Sequence, residues 1–458
     1  MLTYELKKAP GVPLYEALYR CIRQDILTGK LAAGEKLPSK RALADHLEVS
    51  KVTVEGAYNQ LLSEGYIRSE EKVGYFVEAV EQVSLPKVPD TVPKSREPEW
   101  AVDLTANGPA EGFPFTVWMR LQRQVMLDYG HSLLSPMHNQ GYPELRAAIA
   151  RHLAQFRNMQ VDPENILVGA GTDFLYNLLL QLLGRDRIYA VEEPGYHKIR
   201  QIYAAGGVAC VSAEMDLQGV RPEGLGDAQV LHISPSHHFP TGIVTPARRR
   251  QQLLEWAGEE KWIIEDEYDC EFRFNAHPVP SLYSMDRSGR VIYMNTFSKT
   301  LAPSIRISYM ILPPGLMERF RQQLGFYGCT VPSFEQCTLA RFLDEGHFEK
   351  HINRMRRSYR SRRNRVVRIL EESPLSGRLR ILEQDAGLHF ILRVDTALSD
   401  DALVRVWEKA GIRVRSLGQY YHGQIPPWAE RCLVVNYSGL SDGSLLALEK
   451  ALAKGLEL

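Results

Sequence analysis

Residues 81–100, EQVSLPKVPDTVPKSREPEW, cannot belong to a packed core. They carry Pro86, Pro89, Pro93 and Pro98, few large apolar side chains, and neither helical nor alternating periodicity. Such proline spacing favours extended, polyproline-like backbone, so the stretch reads as a semi-stiff spacer. It divides the 458 residues into a small module, 1–80, and a large one, 101–458. At roughly 100–200 residues per domain, the large module should itself contain more than one structural layer.

The small module reads as three helices and a hairpin. Leu14, Leu18, Ile22 and Ile26 recur every four residues beside Cys21, an apolar stripe that should end near Gly29. Ser39 can cap a short second helix carrying Leu43, Ala44 and Leu47, and Ser50 a third carrying Val54, Ala57, Leu61 and Leu62. GYIRSEEKVGYFV then offers two β-prone ends around a polar middle with Gly74, as a hairpin wing would.

The large module alternates helical patterns with short apolar runs: NILVGAG, RIYAVEEPG, AQVLHISPS, KWIIEDEY and RVIYMNTFSK. Runs of this kind spaced by helices predict a mostly parallel α/β sheet buried on both faces. From about Met317 the chain turns helical and basic, then returns to strand-like GLHFILRV and CLVVNYSG, which predicts a smaller α+β subdomain over 320–458. The arginines of the 354–368 segment read as the solvated face of a long helix, with Ile352, Met355, Tyr359 and Val366 on its buried side. Contact with DNA is the competing use of that face.

Composition narrows the function classes. Lys plus Arg equals Asp plus Glu at 55 each, so any nucleic-acid contact must come from a local patch. The six cysteines form no CxxC pair and no metal-ligand spacing, which predicts reduced thiols buried as small hydrophobes and no metal site. The N-terminus lacks a signal-peptide apolar stretch, and no run approaches the roughly 20 apolar residues of a bilayer span. The expectation is a cytoplasmic protein without a membrane partner.

In the small module, a helix that enters the major groove presents short polar and cationic side chains at its N-terminal end. Those are Ser50, Lys51 and Thr53, with Arg41 on the preceding helix and Lys72 in the wing placed for phosphates. The pieces GEKLPSKRALA and VSKVTVEGAYNQLLSEGYI resemble the winged helix-turn-helix of GntR-type bacterial regulators, and the resemblance maps operator contacts onto Arg41, Ser50, Lys51 and Thr53. The family's Gly-x-Gly wing tip is here Lys72-Val73-Gly74.

In the large module, the requirements of pyridoxal phosphate can be met one by one: an amine for a Schiff base, an anion at the pyridine nitrogen, a donor at the ring oxygen and a phosphate cradle. Lys299 in NTFSKTLAPSIRISY supplies the amine, Thr296 and Ser298 beside it carry hydroxyls that can bond phosphate oxygens, and Arg306 can pair with the phosphate. Asp266 falls at the end of a buried strand, where it can keep a pyridinium protonated, and Tyr268 two residues on can reach the ring oxygen. Gly171 and Thr172 open a helical pattern and can cup the phosphate with backbone amides; Tyr196, after Pro-Gly, can stack on the ring.

With SPSHHFPTGIVTP, EDEYDCEF and TFSKTLAPSIRISY in this order, residues 102–458 resemble a fold-type I aminotransferase, and the whole chain resembles the MocR group of regulators. The resemblance implies a Lys299 Schiff base, Asp266 at the pyridine nitrogen, Tyr268 at the ring oxygen, Arg306 on the phosphate, and a head-to-tail homodimer. Two departures stand out. Phe239 precedes Pro240 where aminotransferases usually carry Asn, and Val434 occupies the position of their carboxylate-binding Arg, with Arg431 nearby. The expected function is that of a DNA-binding transcriptional regulator that binds operator duplex and senses an amino compound, or pyridoxal phosphate itself, through Lys299. The alternatives are an active aminotransferase with a fused DNA-binding module and a cofactor-free dimerisation scaffold.

Overall fold

The computed structural model describes residues 2–4, 6, 13–80, 100–106, 112–272, 279–382 and 387–456. The expected spacer over 81–100 lies outside them except for Trp100. Two compact units fall on either side of it.

In the small unit, the helix Leu14–Leu27 buries Leu18, Tyr19, Ile22 and Ile26, the face set by the four-residue stripe. The helices Lys40–Leu47 and Lys51–Ser63 each begin on a capping serine. Ser39 accepts from the Ala42 N–H at 3.2 Å and Ser50 from the Thr53 N–H at 3.2 Å, satisfying donors that a first helical turn leaves open. The wing pairs Ile67–Glu70 with Gly74–Val77, and a short strand, Lys36–Leu37, adds a third member that no apolar pattern announced. Tyr58 closes this core; it is fully buried and donates to the Pro38 carbonyl at 2.9 Å.

The large unit is built on an eight-stranded sheet, ordered Ile166–Ala170, Ile307–Ile311, Val291–Thr296, Trp262–Glu267, Val230–Ile233, Ile188–Glu193, Ala209–Asp216 and Gly219–Val220. The five strands from Val291–Thr296 to Ala209–Asp216 run parallel, whereas Ile307–Ile311 is antiparallel to both its neighbours and Gly219–Val220 to its one. Helices cover both faces, and the apolar runs are buried over most of their length, as a sheet covered on both sides requires. A second, antiparallel sheet joins Leu379–Leu382, His389–Val394, Cys432–Asn436 and Arg415–Ser416.

The basic helix extends over His347–Glu372 and buries Ile352, Met355, Tyr359 and Val366 together with Phe348, His351, Ile369 and Leu370. Several of its arginines bind other segments of the same unit: Arg356 donates to the Glu271 carbonyl at 2.6 Å and Arg365 pairs with Asp442 at 2.6 Å. All six cysteines are free; Cys270, Cys337 and Cys432 are buried, whereas Cys21, Cys210 and Cys329 are half-buried. Among the described residues no helix is long and apolar enough to cross a membrane.

Candidate functional site

The parallel strands end at one cavity of 590 Å³. It gathers Thr172, Tyr196, Asp266, Tyr268, Thr296, Ser298, Lys299 and Arg306 from five stretches of the chain, at the carboxyl edge where α/β sheets collect ligands.

The strand Trp262–Glu267 ends in three consecutive buried carboxylates, and pleating decides which of them faces the cavity. Glu265 and Glu267 share one face, where Arg250 meets Glu265 at 3.3 Å and Arg157 meets Glu267 at 3.1 Å. Asp266 points the other way. One of its oxygens, Oδ2, receives the Tyr176 hydroxyl and lies 3.3 Å from Nε2 of His232, whose Nδ1 is 2.6 Å from the Tyr203 hydroxyl. Its other oxygen, Oδ1, is buried without a partner. A buried, unpaired carboxylate oxygen is costly unless a donor arrives, and a protonated ring nitrogen is such a donor.

Lys299 lies in the turn after Val291–Thr296. Burial lowers its pKa, with Asp269 opposing the shift, so a larger share of the amine is in the neutral, nucleophilic form. Ser298 has a buried hydroxyl with no partner, whereas Thr296 is committed: its Oγ1 accepts from the Ser298 N–H at 3.1 Å and the Ser308 hydroxyl at 2.8 Å.

Gly171 joins Ile166–Ala170 to the helix Thr172–Leu183 with φ of 88°, and its own N–H turns back to the Gly169 carbonyl at 2.9 Å. The first-turn amides that follow have no partner within the helix, and their dipoles favour an anion. Arg306 crosses directly over this glycine; a Cβ there would sit 2.2 Å from its Nη2. Arg306 and Lys198 share the single carboxylate of Asp173, at 3.3 and 2.6 Å, leaving an excess of positive charge beside the helix start. The chemistry of this end suits a phosphate, and with Asp266 and Lys299 the donor set fits pyridoxal phosphate.

Tyr196, half exposed, stands at the start of the helix His197–Ala205 with its ring edge-on to Phe239 at 5.9 Å. Phe239 packs on His389 and Tyr420, so this wall is apolar where an amide would otherwise face the ligand. Val434 is buried against Ile391, Leu417 and Tyr420, while Arg431 is turned to the Thr396 carbonyl at 3.2 Å and is not among the cavity's lining residues. Tyr176, His232, Glu192, Ser234, His389 and Asn436 also line the cavity, and sequence reasoning missed them. Two had a signal: Tyr176 lies one helical turn beyond Thr172, and His232 is the lone polar residue in the run VLHI.

In the small unit, Arg41 and Lys51 are exposed on their helices and Lys72 in the wing turn with φ of 61°. The Ser50 hydroxyl is spent on its cap and lies 2.8 Å from that of Thr53. Val52, which sequence reasoning passed over, is 76% exposed beside Lys51. A methyl-bearing side chain there is suited to a thymine methyl group.

Comparison with known proteins agrees with this division. Residues 14–77 match the model of bacterial regulatory proteins of the gntR family, and residues 101–449 match aminotransferase class I and II. The HTH-type transcriptional regulator YdeL of Bacillus subtilis is 36% identical over 97% of each chain. The probable rhizopine catabolism regulatory protein MocR of Rhizobium meliloti is 33% identical over 95% of this chain and 92% of its own. The chain belongs to the MocR-type regulators. Like them it is an HTH-type transcriptional regulator with a DNA-binding domain of the GntR family and an aminotransferase-like domain whose cofactor is pyridoxal phosphate. The pyridoxine biosynthesis regulator PdxR of Corynebacterium glutamicum is 31% identical over 88% of this MocR-type chain and 87% of its own. Among solved structures, the multiple substrate aminotransferase of Thermococcus profundus superposes with a TM-score of 0.68 at 21% identity, covering 78% of this chain and 91% of that one. At that identity the likeness shows the fold.

Proposed function

We propose that this regulator holds pyridoxal phosphate at Lys299 and changes its affinity for an operator when an amino compound, or the cofactor itself, occupies the cavity. The observation that carries this reading is the unpartnered Oδ1 of Asp266, buried in the same cavity as Lys299. When bound, the cofactor supplies an electron-withdrawing ring and an aldehyde that can be exchanged between amines. The protein's part is to orient it. Asp266, held by Tyr176 and His232, would keep the ring nitrogen protonated; Tyr268 would donate to the ring oxygen. Thr172, Ser298 and Arg306 would hold the phosphate, with Gly171, its N–H turned back to Gly169, and Thr296 shaping the turns around it, and Tyr196 would cover the ring. With Val434 buried in an apolar cluster and Arg431 turned away, the usual arginine seat of an α-carboxylate is missing, so positioning for turnover is weaker than for binding. Sensing is therefore favoured over catalysis.

In the small unit, Ser50, Lys51 and Thr53 at the start of the recognition helix would face base edges and phosphates, with Arg41 and Lys72 on the backbone. Two copies in head-to-tail arrangement would offer paired recognition helices to a two-part site. The test is binding of the full chain to duplex DNA from upstream of its own gene, over a range of salt. Lys51→Ala is expected to weaken binding and make the salt slope about one unit shallower. Pyridoxal phosphate plus an effective amine should shift wild-type affinity by about 1–3 kcal/mol. Affinity indifferent to cofactor and to every amine tried would overturn the sensing role; a Lys51→Ala protein with unchanged affinity and slope would overturn the assigned contact.

A further inference from the structure

Behind the cavity wall, reaching it through His389 and Tyr268, lies a second buried polar cluster that the cofactor-holding groups above do not use. His237, Asp269 and His389 are each no more than 3% exposed. Nδ1 of His237 lies 2.9 and 3.1 Å from the two carboxylate oxygens of Asp269, and 3.1 Å from the hydroxyl of Tyr268. The His389 ring packs on His237 with centroids 4.7 Å apart. The seat is closely built, since a Cβ on Gly387 would fall 1.7 Å from Cε1 of His237.

Donor accounting fixes the protons. A carboxylate only accepts, so Nδ1 of His237 carries a hydrogen and donates it to Asp269. That nitrogen has then no lone pair left for Tyr268. The Tyr268 oxygen can only share the same N–H as an acceptor, and its own proton must point elsewhere. Burial raises the phenol's pKa well above the usual tyrosine range, so that proton is retained. Asp269 also acts on Lys299, opposing the loss of charge that burial causes. Among the described residues, further titratable groups facing the pair are His238 and His389, both held neutral by burial, and Tyr437, which feels Asp269.

We infer that the His237–Asp269 pair is a positioning device: it turns the Tyr268 hydroxyl proton into the cavity and supplies the counter-charge of Lys299. It occupies this role where Phe239 leaves the neighbouring wall apolar. The inference rests on the reading that Tyr268 faces the ring oxygen and Lys299 holds the cofactor.

The test is a pH titration of the visible band of the full chain loaded with pyridoxal phosphate. Removing a buried negative charge disfavours the protonated form, so Asp269→Asn should lower the midpoint by about 1 pH unit or more. His237→Leu leaves Asp269 without its donor; the carboxyl then takes up a proton, and the midpoint should move the same way. His237→Asn restores an N–H near Nδ1 and should return the midpoint to within a few tenths of a unit of wild type, a rescue that mere filling of space would not produce. A band whose midpoint is unmoved in Asp269→Asn, or a His237→Asn protein as shifted as His237→Leu, overturns the inference while leaving the cofactor reading intact. Failure of the unsubstituted protein to form a band overturns both. If Asp269→Asn does not fold, the two His237 variants decide the matter alone.

Discussion

Lys299→Ala abolishes the visible band that pyridoxal phosphate gives with the wild-type chain, and with it any response of DNA binding to an amine, while the protein stays folded and binds DNA. The expectation follows from where the lysine sits. It lines the cavity together with Asp266, in a turn whose backbone is held independently by Thr296, Ser308 and the Ile307 carbonyl. Truncation removes a buried amine whose charge was already disfavoured, so the loss of stability should be small beside the loss of function. The residues proposed to face the operator belong to a separate compact unit with its own apolar core. Absorption spectra, thermal melting and DNA binding of the one variant check all three parts. An effector response that survived in Lys299→Ala would remove the lysine from the sensing step.

Asp266→Asn is expected to weaken retention of the cofactor on the order of 100-fold, measured by equilibrium dialysis or fluorescence quenching. Asparagine keeps the shape, and its oxygen can still accept from Tyr176, but the charge that would favour a protonated ring nitrogen is gone. A hydrogen bond to a charged group in a buried site contributes about 2–3 kcal/mol, which sets the size of the effect. Asp266→Ala adds the cost of stranding the Tyr176 hydroxyl and should destabilise the fold as well. The two variants separate the carboxylate's role toward the ligand from its role in the core. Undiminished affinity in Asp266→Asn would show that the unpartnered oxygen faces something other than the ring nitrogen.

Which parts were legible in the sequence depended on whether a residue's role was local. The stripe Leu18, Ile22, Ile26 and the caps Ser39 and Ser50 follow from periodicity and first-turn hydrogen bonding, and both can be read within a few residues. Lys299 and Asp266 were recognisable because each stands next to an apolar run that must be a strand, at the end where ligands gather. What surrounds Asp266 was not legible. Tyr176 and Tyr203 come from two different helices and His232 from a neighbouring strand, and only sheet order brings them together. The antiparallel course of Ile307–Ile311 was hidden for a related reason, since an apolar run reads the same in either direction. Tyr58 and the strand Lys36–Leu37 escaped because an aromatic in a helix and a two-residue strand carry almost no periodic signal. The contacts that arginines of the long helix make far along the chain, such as Arg356 to Glu271 and Arg365 to Asp442, are likewise beyond what charge patterning alone reveals.

The point of cofactor attachment is the most direct test of this cavity. Wild-type chain incubated with pyridoxal phosphate, reduced with borohydride and cleaved into peptides should carry a stable pyridoxyl phosphate mass on the peptide containing Lys299, alongside a band near roughly 420 nm before reduction. Label on another lysine, or no label above that of a denatured control, would contradict the assignment of this cavity as the cofactor site.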